Sequence, residues 1–543
     1  MIYRVNNIKL PVGRHDIEDV KRAAARCLRI SAGNIIGISI MRRTVDARDK
    51  KDIHYVYSVD CDIRNGERIL KGKKWTDITA ADRTVYRIPE AVYRGRPVIV
   101  GFGPAGIFCA YSFVEAGLKP VIVERGSRVD VRSADVKSFW ETGVLKPESN
   151  VQFGEGGAGT FSDGKLNTLI KDRTGRCRFV LDTFVRFGAP AEIVYDAKPH
   201  IGTDILTEVI RNIREYILER GAEIFFETRL TDIVIEDGRL TGIRVGSGQD
   251  HAVERHIDTD RLVLAIGHSA RDTFGLLRDR GAGLQPKPFA VGFRIEHPRD
   301  FIDRTQYGGF AHLLPAAPYK VTAQTSSGRG VYSFCMCPGG YVVNASSEPG
   351  HLAVNGMSYS GRKGDNSNAP VIVTVTPDDF GCTGELAGVS FQRQLELRAY
   401  EAGNGSIPVQ RIGDFASCLG RFVDTPSAAP DLSDYRPQTK GGYREADLST
   451  ILPRNLSEDI LEGLRSFGTR IPGFDHPEIF LSGIESRTSS PVRIPRGESG
   501  ESTDIKGLYP CGEGAGYAGG ITSAAMDGLY IAGQIIAGNN VSS

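Results

Sequence analysis

The sequence predicts an α/β fold: a doubly wound parallel sheet with a β-meander, an inserted α+β domain and a small N-terminal α/β module. Three observations predict it. From residue 96 onward, short apolar runs alternate with helical periodicity, which is typical of a parallel sheet flanked by helices. This alternation is lost between residues 280 and 480, which are rich in Gly, Ser and Pro, and residues 1–90 follow a separate pattern. At roughly 150 residues per domain, 543 residues suffice for all three parts.

The N-terminal module is expected to span residues 1–90. Asp16 opens a helix whose apolar residues Ile17, Val20, Ala24 and Leu28 recur at helical spacing. Two strands, 35–41 and 54–61, follow, and a charged run at 42–51 joins them.

The main domain is expected in two parts, 91–279 and 481–543, with the inserted domain at 280–480. A helix at 204–220 leads into a strand at 221–226, and a turn at Asp237 and Gly238 indicates the meander. A buried strand follows at 262–267. The sheet pattern resumes near Phe480 and closes with a Gly-rich turn and a C-terminal helix.

Composition excludes several classes of protein. With 40% hydrophobic and 24% charged residues, the chain is neither disordered nor fibrous. The 67 basic and 66 acidic residues leave a formal charge of +1, so no overall field attracts nucleic acid or membranes. The nine scattered cysteines and the absence of an apolar leader predict a cytoplasmic protein without disulfides. The apolar stretch 98–118 contains Gly and Pro residues, so we predict no transmembrane helix there. No cysteine spacing indicates a metal site.

A glycine pattern at 101–106, G-F-G-P-A-G, lies between an apolar strand and a helix. A second strand ends at Glu124, 23 positions after Gly101, where a carboxylate accepts hydrogen bonds from an adenosine ribose. Gly101 is expected to allow the tight turn, Gly103 to let the backbone approach a pyrophosphate, and Gly106 to let helix and strand pack closely. Similar patterns at 154–159 and 514–519 lack this strand, helix and acid context.

The C-terminal segment favours FAD over a free nicotinamide dinucleotide. An apolar strand at 507–511 ends in Gly512 and Glu513, and a Gly-rich turn leads to a helix from Ile521. A carboxylate there suits a ribityl hydroxyl. The helix N-terminus suits the isoalloxazine ring, because its dipole stabilises negative charge.

Six segments together resemble glutathione-reductase-type FAD flavoproteins, and most closely their bacterial branch of uncharacterised FAD-dependent, or NAD-utilising, dehydrogenases. These segments are 42–51, 101–106, 153–166, 287–298, 485–494 and 509–520. The resemblance implies that the main domain binds FAD. It departs from the wider superfamily at Glu513, where an Asp is usual.

The expected FAD-binding residues come from the glycine turn, the second strand, the 154–166 loop, the strand at 262–267 and the final turn. They are Gly101, Gly103, Pro104, Ala105, Gly106, Glu124, Arg125, Gly156, Gly157, Thr160, Ser162, Lys165, Leu230, Gly267, Gly512, Glu513, Gly520, Ile521 and Thr522.

The flavin itself carries a redox step, so few side chains are needed for bond chemistry. Arg487 and Arg493 are the candidate substrate-binding residues, because their segment precedes the flavin turn and guanidinium groups suit a carboxylate or phosphate. The alternative for both is an ion pair with Glu485 or a surface acid. Lys165 is a third candidate, facing either the FAD phosphates or flavin N5. His268 is more typical of a structural residue.

The expected function is that of an FAD-dependent oxidoreductase, a dehydrogenase that acts on a small molecule. Anionic molecules are among the candidate substrates. A second dinucleotide unit is not evident, so NAD(P)H and the organic substrate both stay open as electron donors. Two alternatives remain: an RNA-binding or RNA-modifying flavoprotein that uses the basic residues of 42–51, and a non-catalytic flavin-binding scaffold. The sequence leaves the oligomeric state undetermined.

Overall fold

The computed structural model describes residues 2–66, 76–81, 84–248, 252–424 and 430–538. It contains a parallel sheet of five strands, an antiparallel N-terminal sheet, a meander and a mixed seven-stranded sheet. The predicted fold class is confirmed. Within the described ranges, no helix combines the length and apolar character needed to cross a bilayer.

The N-terminal module is a four-stranded sheet in the order β2-β3-β1-β4 with one described helix packed on it. Its elements are β1 (Ile2–Pro11), α1 (Ile17–Leu28), β2 (Ile35–Asp46), β3 (His54–Ile63) and β4 (Ile78–Ala80). The Asp16 side chain caps α1 by accepting a hydrogen bond of 2.7 Å from the amide of Asp19. The predicted break after residue 41 is wrong, because β2 pairs with β3 as far as Asp46.

The parallel sheet has the order β24-β11-β5-β6-β7. Its strands are β5 (Val98–Val100), β6 (Val121–Val123), β7 (Glu223–Phe225), β11 (Leu262–Leu264) and β24 (Leu508–Pro510). The surrounding helices are α2 (Pro104–Glu115), α3 (Val129–Thr142), α4 (Arg176–Arg186), α5 (Thr203–Glu219), α6 (Arg271–Asp279) and α11 (Ile521–Ile536). Strands β5, β6, β11 and β24 are buried throughout, which explains their uninterrupted apolar sequences.

The predicted meander follows β7. Its strands are β8 (Thr228–Glu236), β9 (Arg239–Ser247) and β10 (Val253–Asp258), paired antiparallel in the order β10-β9-β8. Asp237 and Gly238 have φ angles of 48° and 74°, so both lie in the left-handed region that a two-residue hairpin turn requires.

A mixed seven-stranded sheet in the order β14-β15-β18-β13-β22-β19-β21 forms the second large layer. Its strands are β13 (Phe289–Pro298), β14 (Val321–Gln324), β15 (Gly330–Ser333), β18 (Asn366–Val375), β19 (Ile407–Arg411), β21 (Tyr443–Glu445) and β22 (Phe480–Glu485). The sequence predicts that the chain returns to the parallel sheet near Phe480. The strand at that position, β22, instead pairs with β13 and β19 of the seven-stranded sheet. The return occurs at β24.

Two small sheets and four α-helices complete the described residues. They are β12 (Gln285–Pro286) with β23 (Val492–Arg493), and β16 (Tyr341–Asn344) with β17 (Val354–Met357) and β20 (Thr439–Lys440). The helices are α7 (Arg299–Tyr307), α8 (Ala387–Gly403), α9 (Ile412–Cys418) and α10 (Arg454–Arg470).

The central strand β13 is apolar at its start and polar towards its end, where Glu296 is completely buried. One carboxylate oxygen of Glu296 accepts from the amide of Gln438 (2.9 Å) and from Asn366 (3.2 Å), and the other contacts no donor among the described residues. Burial raises the pKa of Glu296 to about 7, against the lowering effect of these donors and of Arg294.

Replacing Glu296 with Gln is expected to change how stability depends on pH. A carboxyl whose pKa is higher in the folded state stabilises the fold fully below about pH 4.5 and loses that contribution as the pH rises through about 7. Between pH 5 and 8, the unfolding free energy of the wild type should therefore fall by about 3 kcal/mol relative to that of Glu296→Gln. Urea unfolding at several pH values measures this difference, and parallel curves for the two proteins would contradict it.

Candidate functional site

A long cleft runs along the carboxyl ends of the parallel strands and encloses about 1610 Å³ of empty space, including its open mouth. Residues directly after β5, β6, β11 and β24 form one wall, and residues from the seven-stranded sheet and its loops form the opposite wall. The carboxyl edge of an open parallel sheet is where such folds bind ligands.

The glycine turn after β5 has the geometry that the sequence predicts. Gly101 has a φ of 96°, and a Cβ on it would lie 2.3 Å from the carbonyl oxygen of Ala265. A Cβ on Gly106 would lie 1.9 Å from the carbonyl oxygen of Gly101, so only glycine allows α2 to pack this closely. Gly103 is the N-cap of α2 and lies at the cleft, which leaves the first amides of the helix directed at its interior.

Glu124, at the end of β6, holds three loops together beside this turn. Its side chain is buried and lines the cleft. It accepts hydrogen bonds from the amides of Phe102 (2.7 Å), Gly126 (2.9 Å) and Gly154 (3.0 Å). A carboxylate has about four acceptor positions, so one remains for a ligand hydroxyl.

The loop at 154–166 is shaped by Arg132 of α3, a residue that the sequence patterns do not indicate. The Arg132 guanidinium is completely buried and donates to five carbonyl oxygens, those of Asn150, Val151, Gly154, Glu155 and Gly157. Burial lowers the pKa of Arg132 to about 10, so it stays charged at neutral pH. No pattern in the sequence distinguishes it from the many surface arginines.

Most of the residues predicted to bind FAD line the cleft. Those are Gly101, Gly103, Pro104, Ala105, Glu124, Arg125, Gly157, Ser162, Lys165, Leu230, Gly267, Glu513, Gly520 and Ile521. Five others lie behind it and support its walls: Gly106, Gly156, Thr160, Gly512 and Thr522. Thr522, for example, donates 2.9 Å to the carbonyl of Leu166, and a Cβ on Gly512 would meet the side chain of Ala105 at 2.8 Å.

The two candidate arginines have different positions. Arg493 lies on β23, exposed, with its guanidinium 4.7 Å from the ring of Tyr517, so it is not part of the cleft wall. Arg487 lines the cleft but is held by Glu396 through two hydrogen bonds of 2.9 and 2.8 Å. The suggested pairing of Arg487 with Glu485 is wrong, because Glu485 pairs with Arg294 at 2.7 Å.

Glu396 is the centre of a completely buried ion network. It bonds both Arg487 and Arg271, the latter at 2.7 Å. Burial opposes ionisation of Glu396, but the two guanidinium groups outweigh it and hold the pKa of this carboxyl well below its usual range. Arg487 is therefore an anchored charge, with one nitrogen bonded to Ser347 at 2.5 Å.

The N-terminus of α11 also opens into the cleft, through Gly519, Gly520 and Ile521. Near it, His268 follows β11 and Glu513 follows β24, and Nδ1 of the imidazole lies 3.0 Å from a Glu513 oxygen. The Nε2 atom of His268 is buried and has no partner among the described residues. The sequence placed each residue directly after a predicted strand, and the structure shows that these strands, β11 and β24, are parallel neighbours whose ends meet.

The chemistry of the cleft fits a dinucleotide cofactor. The N-termini of α2 and α11 and the backbone of the glycine turn after β5 supply hydrogen-bond donors and positive dipole ends. These groups suit phosphates and negatively polarised carbonyls. Glu124 and the His268–Glu513 pair supply groups for hydroxyls, and the unpartnered Nε2 atom is a buried polar position that a ligand would satisfy.

The opposite wall contains Cys335 and Cys337 of the C-M-C segment. Cys335 is exposed on this wall, whereas Cys337 is buried, and burial raises the pKa of Cys337, so its thiol is protonated at neutral pH. Arg294, behind this wall, donates to Asn368 (2.8 Å) and Glu485 and fixes the strands that carry it.

Comparison with known proteins identifies two domains by sequence. Residues 288–488 match the family described as FAD-dependent protein, C-terminal domain-like, and residues 1–62 match a domain of unknown function. Among solved structures, glycine oxidase from Bacillus cereus is 14% identical, with a TM-score of 0.31, over 82% of this chain and 96% of that chain. Glycerol-3-phosphate dehydrogenase from Bacillus halodurans, complexed with FAD, is 11% identical, with a TM-score of 0.36, over 83% of this chain and 66% of that chain. Likenesses this low carry no information about substrate.

A full-length relative shows the family. An uncharacterised protein from Clostridium beijerinckii is 44% identical over 544 residues, covering 99% of each chain. This chain therefore belongs to the same family as the Clostridium beijerinckii protein, and its residues 288–488 are similar to the C-terminal domain of FAD-dependent proteins.

Proposed function

We propose that this protein is an oxidoreductase that holds FAD in the cleft and transfers a hydride between the flavin and a small organic substrate or NAD(P)H. One observation carries the proposal: in a chain with an FAD-dependent domain, the N-termini of α2 and α11 open into one continuous cleft at the carboxyl edge of the parallel sheet. The resemblance of the sequence to glutathione-reductase-type flavoproteins supports the same proposal.

The chain's own residues have separate tasks in this proposal. The α2 N-terminus and Gly103 bind the diphosphate, and Glu124 accepts from the adenosine ribose. Glu513, oriented by His268, binds the ribityl chain. The α11 N-terminus places a positive dipole end against the ring system, which favours negative charge there.

FAD, when bound, supplies the hydride-accepting and hydride-donating chemistry. The protein's contribution is orientation and exclusion of water by the wall that carries Phe334, Cys335 and Thr488. Because the buried Cys337 thiol holds its proton, we assign it a packing role and no covalent step.

The nucleic-acid alternative has less support from the 42–51 segment. Arg43 is bonded to Asp196 at 2.7 and 2.9 Å, and Arg48 to Asp46 at 2.8 and 2.6 Å. These carboxylates neutralise two of the basic groups that a phosphate backbone requires.

The test is the cofactor content and redox behaviour of the purified full-length chain. We expect about one FAD per chain by absorbance, and bleaching of the flavin under anaerobic conditions by NADH, NADPH or a member of a set of hydroxy acids and amines. The compound that bleaches it identifies the electron donor. A colourless protein that takes up no added FAD would contradict the proposal, and bound FAD that no donor reduces would favour the scaffold alternative.

A further inference from the structure

Two polar side chains of the cleft wall are held side by side by one buried arginine. Glu485, the last residue of β22, and Asn355, on β17, both line the cleft. Nη1 of Arg294, behind them, donates to Oε2 of Glu485 at 2.7 Å and makes a longer contact of 3.4 Å with Oδ1 of Asn355. A single nitrogen atom therefore places the two side chains next to each other, and we call them the Glu485–Asn355 pair.

Asn355 offers the cleft a hydrogen-bond donor. Its Oδ1 atom accepts from the amide of Gly356 at 2.8 Å as well as from Arg294. Because both contacts require an acceptor, the side-chain amide has one orientation, with its Nδ2 group on the side away from the arginine. In the part of the chain that the structure describes, this Nδ2 group donates to no protein acceptor.

Glu485 offers the matching acceptor. Its side chain is 9% exposed, and its Oε1 atom accepts from no donor among the described residues, yet protein does not enclose it, so it is open to the cleft. Arg294 does not reach Oε1, because its other nitrogens bond Asn368 at 2.8 Å and the carbonyl of Cys335 at 3.3 Å. Burial raises the pKa of Glu485 against the lowering effect of Arg294, and a carboxylate with a raised pKa holds a proton more readily.

The charge of the pair is balanced within the wall. Arg294 compensates Glu485, and Gly356 permits their approach, because a Cβ on it would lie 2.3 Å from the Arg294 guanidinium. The cleft is thus offered one donor and one acceptor without a net charge. A hydroxyl group fits this arrangement because it both donates and accepts, whereas an ammonium group only donates and would direct its hydrogens at the Nδ2 group of Asn355.

We propose that the Glu485–Asn355 pair binds the hydroxyl group of an alcohol substrate and that Glu485 is the catalytic residue that takes its proton. This assignment rests on the proposed function and names alcohols as its substrate class. In the oxidation, the carbon–hydrogen bond breaks, and its hydrogen leaves with the electron pair to the flavin. The oxygen–hydrogen bond breaks as well, its proton passes to Oε1 of Glu485, and a carbon–oxygen double bond forms. The substrate loses two electrons, and the flavin takes them up.

Binding without turnover is the first measurement. Anaerobic calorimetry on the full-length, FAD-loaded chain reduced with dithionite compares matched probes that carry a hydroxyl or an amino group on the same skeleton. These are glycolate and glycine, L-lactate and L-alanine, L-malate and L-aspartate, and cyclohexanol and cyclohexylamine. We expect at least one hydroxy compound to bind about tenfold more tightly than its amino partner, because the amino compound leaves the Asn355 donor unsatisfied.

Asn355→Asp is the decisive variant. It turns the donor and acceptor into two acceptors and leaves Glu485 and Arg294 in place, so the preference for the hydroxy compound should fall by about tenfold or more. Asn455→Asp, at an exposed residue in the first turn of α10 outside the cleft wall, adds the same charge and should leave the preference unchanged.

Glu485→Gln tests the proton-accepting role. It keeps the size of the side chain but removes the base, so anaerobic bleaching of the oxidised, FAD-loaded chain by the same hydroxy compound should slow by about a hundredfold or more. Circular dichroism and FAD content establish that the variant is folded. If it loses its fold because Arg294 is left uncompensated, the Asn355→Asp result decides by itself.

A hydroxy preference that is lost in Asn355→Asp and kept in Asn455→Asp, together with slow bleaching in Glu485→Gln, supports the proposal. Binding of no hydroxy compound, equal or tighter binding of the amino compounds, or a hydroxy preference that survives in Asn355→Asp overturns it. Binding without bleaching, or wild-type bleaching in a folded Glu485→Gln variant, overturns the proton-accepting role. The proposed function fails separately, through a chain that takes up no FAD or whose bound FAD no donor reduces.

Discussion

Replacing Gly103 with Asp is expected to release FAD from a chain that is still folded. Gly103 has φ and ψ of −78° and −173°, which any residue adopts, and a Cβ on it would lie 3.6 Å from its nearest neighbour, the Cα of Gly157. Asp is also a favourable N-cap for α2. Its carboxylate, however, would occupy the helix N-terminus that we assign to the diphosphate, and affinity for FAD should fall by about a hundredfold.

The measurement is FAD retained after gel filtration, with a dissociation constant from flavin fluorescence. Gly103→Ala is the matched control, since it adds the Cβ without the charge and should retain FAD. Circular dichroism of Gly103→Asp should match that of the wild type. Wild-type affinity in a folded Gly103→Asp variant would show that the diphosphate does not bind at α2.

Replacing Glu396 with Gln is expected to cause the largest loss of stability. The substitution keeps the size of the side chain but removes the carboxylate that bonds both Arg487 and Arg271 in the buried network. Removing one partner from a buried ion pair costs about 3–5 kcal/mol, because the remaining charge is left without compensation. Urea unfolding at pH 7 measures the loss.

Glu348→Gln provides the control for this variant. Glu348 also pairs with Arg271, at 3.1 Å, and with Arg393, at 2.8 Å, but its side chain is 22% exposed, so water compensates in part and the loss should be smaller than that of Glu396→Gln. Adding Arg487→Met to Glu396→Gln should restore part of the stability by removing the uncompensated charge. A double variant that is less stable than Glu396→Gln would contradict this explanation.

The pH dependence of the same site has a definite sign. Because the pKa of Glu396 is lower in the folded state, its contribution is present above the ordinary carboxyl pKa and is lost as the pH falls through and below that value. Glu396→Gln should therefore approach the wild-type stability in acid. Glu296 has the opposite sign, and its contribution is lost as the pH rises.

The turn after β5 was predictable because its signals are local. Gly101 and Gly106 are required by backbone contacts within one strand–turn–helix unit, so their spacing in the chain reflects their spacing in space. The meander turn at Asp237 and Gly238 is local in the same way. The seven-stranded sheet was less visible, because β13 and β18 are buried on both faces and lack the alternation typical of a strand.

The sequence by itself determined the fold class, the glycine turn and the segments that form the cofactor-facing wall. Only the tertiary structure decided which charges are available: Glu396, 91 positions from Arg487, occupies that guanidinium, and Asp163 pairs with both Lys165 and Arg362. The reason is physical. Backbone turns depend on neighbours in the chain, whereas the charge state and pairing of a side chain depend on groups that folding brings together from distant positions.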